Sequence, residues 1–64
     1  MVRINGEDIQ AEGKTVAMYL EEEGYNMKRI AVERNGEILP KAKYSETILC
    51  DRDIIEIVSF VGGG

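Results

Sequence analysis

The spacing of apolar and polar positions changes several times along this chain. Near the start, Val2 and Ile4 alternate with polar residues, Asn5-Gly6 interrupts, and a second rough alternation runs from Glu7 to Ala11. Asn-Gly accepts the positive φ angles that a two-residue type I′ turn requires. The first eleven residues therefore predict a β-hairpin.

From Val16 the apolar spacing becomes helical. The stripe at i, i+3 and i+4 consists of Val16, Tyr19 and Leu20. Thr15 can cap the first N–H groups of a helix, and Gly24 is a natural residue to end it near Glu23. We expect one amphipathic helix, with Met18 filling core space beside the stripe and the acidic run 21–23 on its solvated face.

A second Asn-Gly dipeptide, Asn35-Gly36, separates two β-rich runs. The first run is Ile30–Arg34, and the second, Glu37–Leu39, ends at Pro40, which has no N–H to donate. These runs predict a second hairpin. An irregular segment follows, in which we expect Tyr44 to pack on the body of the domain.

The final strand, predicted over 54–61, is apolar on both faces, which is typical of a central strand. One face carries Ile55, Ile57 and Val61 with Ser59, and the other carries Ile54, Val58 and Phe60 with Glu56. A single helix covers only one face of a sheet. The second face therefore either packs against the loop around Tyr44 or is left exposed as a docking surface.

Length and element order indicate a single α+β domain. The 64 residues are too few for two cores, and we expect residues 1–60 to fold while residues 61–64 form a flexible glycine tail. A net charge of −4 argues against nucleic acid as a partner. The longest apolar runs are far too short to span a membrane, and no signal peptide is visible, so we expect a soluble, cytoplasmic protein.

Few residues could carry catalysis or bind a metal. Histidine is absent and Cys50 is the one cysteine, which excludes a disulfide framework and a cysteine-based zinc site. Without a histidine to activate it, Cys50 is interpreted as a small apolar residue that packs. The carboxylates of Asp51, Asp53 and Glu56 are interpreted as solvated groups. We predict no catalytic residue, no cofactor and no metal site.

The sequence finishes in three glycines, Gly62, Gly63 and Gly64. Lacking Cβ atoms, they could pass through a channel too narrow for side chains, and the four residues 61–64 together could carry the carboxylate roughly 13 Å from the domain. The alternative interpretation is a frayed end without function.

Two segments are especially specific, the hairpin Val-Glu-Arg-Asn-Gly-Glu-Ile at 32–38 and the ending Ile-Glu-Ile-Val-Ser-Phe-Val-Gly-Gly-Gly at 55–64. With them, essentially the whole chain resembles the ThiS family, the ubiquitin-like sulfur carrier proteins of bacterial thiamine biosynthesis. The chain departs from the family at Tyr44, where many members have tryptophan, and in the local turns at Pro40-Lys41 and Arg52-Asp53. The resemblance implies a β-grasp fold, with a mixed sheet of four to five strands and one main helix packed on one face.

The resemblance also implies a carrier and not an enzyme. In that family an E1-like activating enzyme uses ATP and Mg²⁺ to adenylate the C-terminal carboxylate, which becomes a thiocarboxylate and donates its sulfur to thiazole synthase. By this resemblance Gly64 bears the acyl group, Gly62 and Gly63 thread into the partner, and Val58, Phe60 and Val61 lie near it. The sulfur would come from a donor such as a cysteine desulfurase, and the carrier is expected to be a monomer that forms transient complexes.

Three other functions stay open at this point. The small subunit of molybdopterin synthase shares the fold and a Gly-Gly end, although the longer tail and the hairpin at 32–38 favour thiamine. A non-covalent ubiquitin-like module would use only its sheet face. An isolated enzyme is the most distant alternative.

Overall fold

The structure, a computed structural model, describes residues 1–60. Its single α-helix is α1 (Val16–Glu22), and two short 3₁₀ turns cover Met27–Arg29 and Lys41–Lys43. The strands are β1 (Val2–Ile4), β2 (Glu7–Ile9), β3 (Ile30–Arg34), β4 (Glu37–Leu39) and β5 (Ile54–Ser59). The predicted flexible tail, residues 61–64, lies outside the described residues.

The strands form one mixed sheet in the order β2-β1-β5-β3-β4. Strand β5 lies at its centre, parallel to β1 and antiparallel to β3. This is the β-grasp arrangement, and it confirms the predicted α+β class with a central last strand. Strand β5 ends at Ser59, so the predicted extension to Val61 is wrong at Phe60, which lies beyond the strand although its N–H still donates to the Arg29 carbonyl at 2.7 Å.

Both Asn-Gly pairs form the predicted tight turns. The φ angles are 50° and 84° at Asn5 and Gly6, and 53° and 85° at Asn35 and Gly36. Positive φ at both central residues defines the type I′ turn, whose twist matches that of the strands it joins. The two turns therefore set the register of β1 with β2 and of β3 with β4.

Helix α1 begins and ends where the sequence predicts. The Thr15 hydroxyl accepts from the Met18 N–H at 3.1 Å, and Gly24 follows the helix with a φ of 80°. The expectation for Met18 is wrong, because its side chain is exposed. It lies two residues after Val16, about 200° around the helix, and therefore points away from the core-facing stripe.

The core lies between α1 and one face of the sheet, with the segment around Tyr44 closing it. Tyr44 is buried, as predicted, and its carbonyl accepts from Ala17 N–H at 3.0 Å, which holds the segment against the start of α1. The buried apolar residues are Val2, Ile4, Ala11, Val16, Tyr19, Leu20, Ile30, Val32, Tyr44, Leu49, Ile55 and Ile57. Because helix and loop share this side, the opposite face of the sheet stays open.

Candidate functional site: the open sheet face and the end of β5

Several large apolar side chains are exposed on the open face of the sheet, on or next to β4 and β5. On β5, Ile54 is 51% exposed and Val58 54%; Phe60, just past the strand, is 51% exposed, and Ile38 on the edge strand β4 is 74% exposed. Of the two possibilities left by the sequence, this result confirms exposure and excludes packing against the Tyr44 segment. The arrangement is typical of a surface that meets another protein.

Strand register places acidic residues in the middle of this open face. Glu33 on β3 pairs directly with Glu56 on β5, and Ile38 on β4 pairs with Glu33 from the other side. The next pair of β3 with β5 that faces the same way is Ala31 with Val58. Both glutamates are exposed, and within residues 1–60 neither has a basic group within 4.0 Å. The open face is therefore apolar with an uncompensated acidic centre.

The turn residue Asn5 holds β5 in place beyond the short parallel pairing with β1. Its Oδ1 accepts from the Ile57 N–H at 2.7 Å, and its Nδ2 donates to the Ile57 carbonyl at 3.3 Å. One side-chain amide thus continues the ladder after β1 has turned away. From the sequence, Asn5 was predicted only to form the turn. The overlooked signal is that a side-chain amide, unlike a carboxylate, can both donate and accept a backbone hydrogen bond.

The second turn asparagine holds the beginning of β5. Asn35 Oδ1 accepts from the Ile54 N–H at 2.8 Å, and its Nδ2 donates to Asp53 Oδ1 at 3.1 Å. Its own N–H donates to the Ile54 carbonyl at 2.7 Å. Both hairpin turns therefore fix the strand that precedes the glycine tail.

Asp53 is buried, so its interpretation as a solvated carboxylate is wrong. Only 7% of the residue is exposed. Its Oδ2 accepts from the Cys50 N–H at 3.0 Å and from Arg34 Nε at 3.1 Å, in addition to the bond from Asn35. Burial acts to raise the pKa of Asp53, but these hydrogen bonds and the Arg34 charge outweigh it and hold the pKa below its ordinary value. Asp53 is a structural anion that closes the turn leading into β5.

The interpretation of Cys50 as a packing residue is also wrong, because the residue is exposed. Its thiol lies 3.5 Å from the Ile48 carbonyl, a weak contact, while its backbone N–H makes the bond to Asp53. The main chain at this position has the structural role. Asp51 and Glu56 are exposed, as predicted.

A shallow cavity of about 310 Å³ lies at the other end of the sheet. It is lined by Met1, Arg3, Asp8, Asp51, Arg52 and Ile54. Several of its charges are paired, with Arg3 bound to Asp8 at 3.1 Å and the Met1 amino group bound to Asp51. It shares Ile54 with the open face but lies beside the beginning of β5, a strand length away from the end that leads to the glycines.

The predicted partner-binding residues fall into two groups. Val58 lies on the open face near the end of β5, and Phe60, just past the strand, is half exposed. Val61, Gly62, Gly63 and Gly64 lie outside the described residues. Across residues 1–60, no cluster of three or more cysteine, aspartate or glutamate side chains could hold a metal ion, and no helix there is long and apolar enough to cross a membrane.

The ThiS family model matches residues 2–64, which is nearly the whole chain. The chain belongs to the ThiS family. Its sequence is 46% identical to the sulfur carrier protein ThiS of Bacillus subtilis, and the alignment covers all of both chains.

Two further relatives agree with membership of the ThiS family. A thiazole synthase of Paramagnetospirillum magneticum is 45% identical over 95% of this chain, which spans only 19% of that protein. The crystal structure of the thiamine biosynthesis protein ThiS from Geobacter metallireducens matches with a TM-score of 0.78 at 30% identity, covering 98% of this chain and 97% of that one. The solved ThiS structure thus has the same fold as the sheet and helix described above.

Proposed function

We infer that this chain is a sulfur carrier of thiamine biosynthesis. The observation that carries the inference is the match to the ThiS family over residues 2–64, which includes the glycine tail. The full-length relative from Bacillus subtilis is itself a sulfur carrier, and a thiazole synthase that contains a similar region ties the family to thiamine rather than to molybdopterin.

In the proposed reaction the chain is a substrate and not a catalyst. A carboxylate oxygen of Gly64 attacks the α-phosphorus of ATP, pyrophosphate leaves, and the carboxyl carbon becomes part of a mixed anhydride. A hydrosulfide ion then attacks that carbon, the bond from the carbon to the phosphate oxygen breaks and AMP leaves, so that one oxygen of Gly64 is replaced by sulfur. Where the donor is a protein persulfide, the attack gives an acyl disulfide, and a thiol must cleave its S–S bond to release the thiocarboxylate. Activation is needed because a free carboxylate spreads its charge over two oxygens and is a poor electrophile. ATP and Mg²⁺ are bound by the activating enzyme in this scheme.

The open sheet face supplies the binding energy that the tail cannot. Ordering each tail residue in a partner's cleft costs roughly 1–2 kcal/mol of backbone entropy. The side chains of Val58 and Phe60 are about half exposed and lie within the three residues before the tail. Their burial against a partner offsets this cost, and the limited area favours transient complexes of a monomeric carrier.

The proposal names three successive partners. An E1-like enzyme adenylates Gly64, a donor such as a cysteine desulfurase supplies sulfur, and thiazole synthase accepts it. Gly62 and Gly63 thread into the active sites, and Val61 contacts the partner beside Phe60. The exposed, unpaired thiol of Cys50 fits a reducing compartment, and the cytoplasm is the proposed location.

Intact-protein mass spectrometry tests the function. The chain is incubated with the E1-like enzyme of its own organism, ATP, Mg²⁺ and a sulfur donor, and the expected product has one oxygen exchanged for sulfur at Gly64. The matched control is the same chain with one alanine added after Gly64, which should bind the enzyme but acquire no sulfur.

Two results would contradict the proposal. If the unmodified chain acquires no sulfur while the enzyme loads a known carrier, the non-covalent module becomes the better interpretation. If the extended chain is loaded equally well, the modified atom is not the Gly64 carboxylate.

A further inference from the structure

The centre of the open face contains an unfavourable charge arrangement. Glu33 and Glu56 pair directly across antiparallel strands. Side chains at such positions have Cβ atoms about 4.5–5.5 Å apart, and like charges there destabilise the sheet. Residues flanking the pair on the same face, Ile38 and Val58, are apolar and exposed. The isolated domain therefore keeps two adjacent negative charges within an apolar surface.

The basic groups nearest along these strands do not neutralise the pair. Arg3, on the same face, is bound to Asp8, and Arg34 is bound to Asp53. Arg29 lies in the 3₁₀ turn before β3, where its carbonyl accepts from the Phe60 N–H, and it forms no ion pair with either glutamate. Within residues 1–60, the acidic pair thus has no internal counter-charge.

The number of residues that follow Phe60 in the sequence helps to identify what covers this face. Residues 61–64 follow Phe60 directly in the sequence, and four residues reach at most about 14 Å. A protein that binds Gly64 in its active site must therefore lie beside the end of β5, where the half-exposed side chains of Val58 and Phe60 offer it an apolar surface. On the proposed function, on which this inference rests, the first such protein is the adenylating enzyme.

We propose that the adenylating enzyme presents an arginine side chain that binds between Glu33 and Glu56, surrounded by apolar residues that pack on Ile38, Val58 and Phe60. A guanidinium group is planar, carries several donors in a fixed geometry and is weakly hydrated, so it can bind two carboxylates in an apolar setting. Docking would convert the repulsion into two charge-assisted hydrogen bonds. The pair thus favours this partner over surfaces that are merely apolar.

The test compares removal of the charges of Glu33 and Glu56 with removal of the charge of one exposed glutamate on another face of the domain. Glu33→Gln, Glu56→Gln and the double variant are compared with Glu21→Gln, an exposed glutamate on α1, which covers the opposite face of the sheet. Because repulsion is relieved, we expect the melting temperature of the double variant to rise by about 1–6 °C. Its affinity for the adenylating enzyme should fall about 10- to 100-fold, while Glu21→Gln changes neither.

Glu56→Arg gives a second test in which misfolding cannot explain the result. The new guanidinium would pair with Glu33 across the strands, so the free domain should gain stability while it repels the partner's arginine. Loss of binding together with a raised melting temperature supports the proposal. At saturating enzyme concentration the double Gln variant should still acquire sulfur, because Gly64 and the tail are unchanged.

Three outcomes would overturn the inference. One is that the double Gln variant binds the adenylating enzyme as tightly as Glu21→Gln does. Another is that the double Gln variant is impaired only in sulfur transfer to thiazole synthase, which would assign the open face to that later partner. The third is that the affinity of the double Gln variant depends on salt concentration as strongly as the affinity of the unmodified chain does, because removing an ion pair must weaken that dependence. Failure of the proposed function is distinct, since then the unmodified chain acquires no sulfur at all.

Discussion

Removal of the buried Asp53 carboxylate should destabilise the domain more than any other single charge removal among residues 1–60. The carboxylate is almost fully buried and accepts three hydrogen bonds, from Asn35, Arg34 and the Cys50 N–H, at 3.0–3.1 Å. In Asp53→Ala the Asn35 amide and the Cys50 N–H lose their acceptor in a partly buried site. The Arg34 side chain, about a third exposed, regains water and contributes less to the loss.

These contacts set the expected magnitude. Hydrogen bonds to charged groups contribute about 1.5–3 kcal/mol each, and the partial exposure of Arg34 reduces its share, so Asp53→Ala should cost about 2–4 kcal/mol. A domain of this size has a total stability of roughly 3–10 kcal/mol. The loss should lower the melting temperature by roughly 10 °C or more.

The pH dependence separates the charge of Asp53 from its shape. Because the pKa of Asp53 is lower in the folded protein than in the unfolded chain, its ionised form contributes stability that is complete above the unfolded pKa of about 3.9. This contribution disappears as the pH falls through the folded pKa. The stability difference between the unmodified protein and Asp53→Asn should therefore be constant from pH 7 to about pH 5 and shrink below about pH 4.

Urea unfolding followed by circular dichroism measures both effects, with Asp51→Ala as the control. Asp51 precedes the same turn but is exposed, and its contact with the Met1 amino group is a surface pair, so its removal should have little effect. A difference between the unmodified protein and Asp53→Asn that is the same at pH 7 and pH 2.5 would refute the electrostatic reasoning. A cost of Asp53→Ala no larger than that of Asp51→Ala would refute the structural role.

Three further predictions concern β5 and its surroundings. Asn5→Gly keeps a residue suited to positive φ but removes both hydrogen bonds to Ile57, so urea unfolding should show a loss of stability of about 1–2 kcal/mol, and an unchanged urea midpoint would contradict the role of Asn5 in holding β5. Phe60→Ala should weaken binding to the adenylating enzyme about tenfold or more at unchanged melting temperature, and equal affinity in calorimetry would exclude Phe60 from the docking surface. Cys50→Ala should acquire sulfur at Gly64 as fast as the unmodified chain, because its backbone N–H and not its thiol binds Asp53, and slower loading by mass spectrometry would assign the thiol a role.

Local signals in the sequence determined most of the fold. The Asn5-Gly6 and Asn35-Gly36 turns, the Thr15 cap and Gly24 after α1 all lie where the sequence predicts them, because each depends on the conformational preferences of a few adjacent residues. The central position of β5 also follows from the sequence, since a strand apolar on both faces is typically flanked by strands on both sides. The resemblance to ThiS added the order of the strands.

Only the tertiary structure decided which side of β5 is open and what holds the strand in place. Asn5 contacts Ile57 across 52 positions of sequence and Asn35 contacts Asp53 across 18, distances that no local pattern reports. Asp53 and Glu56 look alike in the sequence, as two carboxylates near one strand. One is buried with three donors and the other faces Glu33 on the exposed sheet, because burial and pairing depend on which elements the fold brings together.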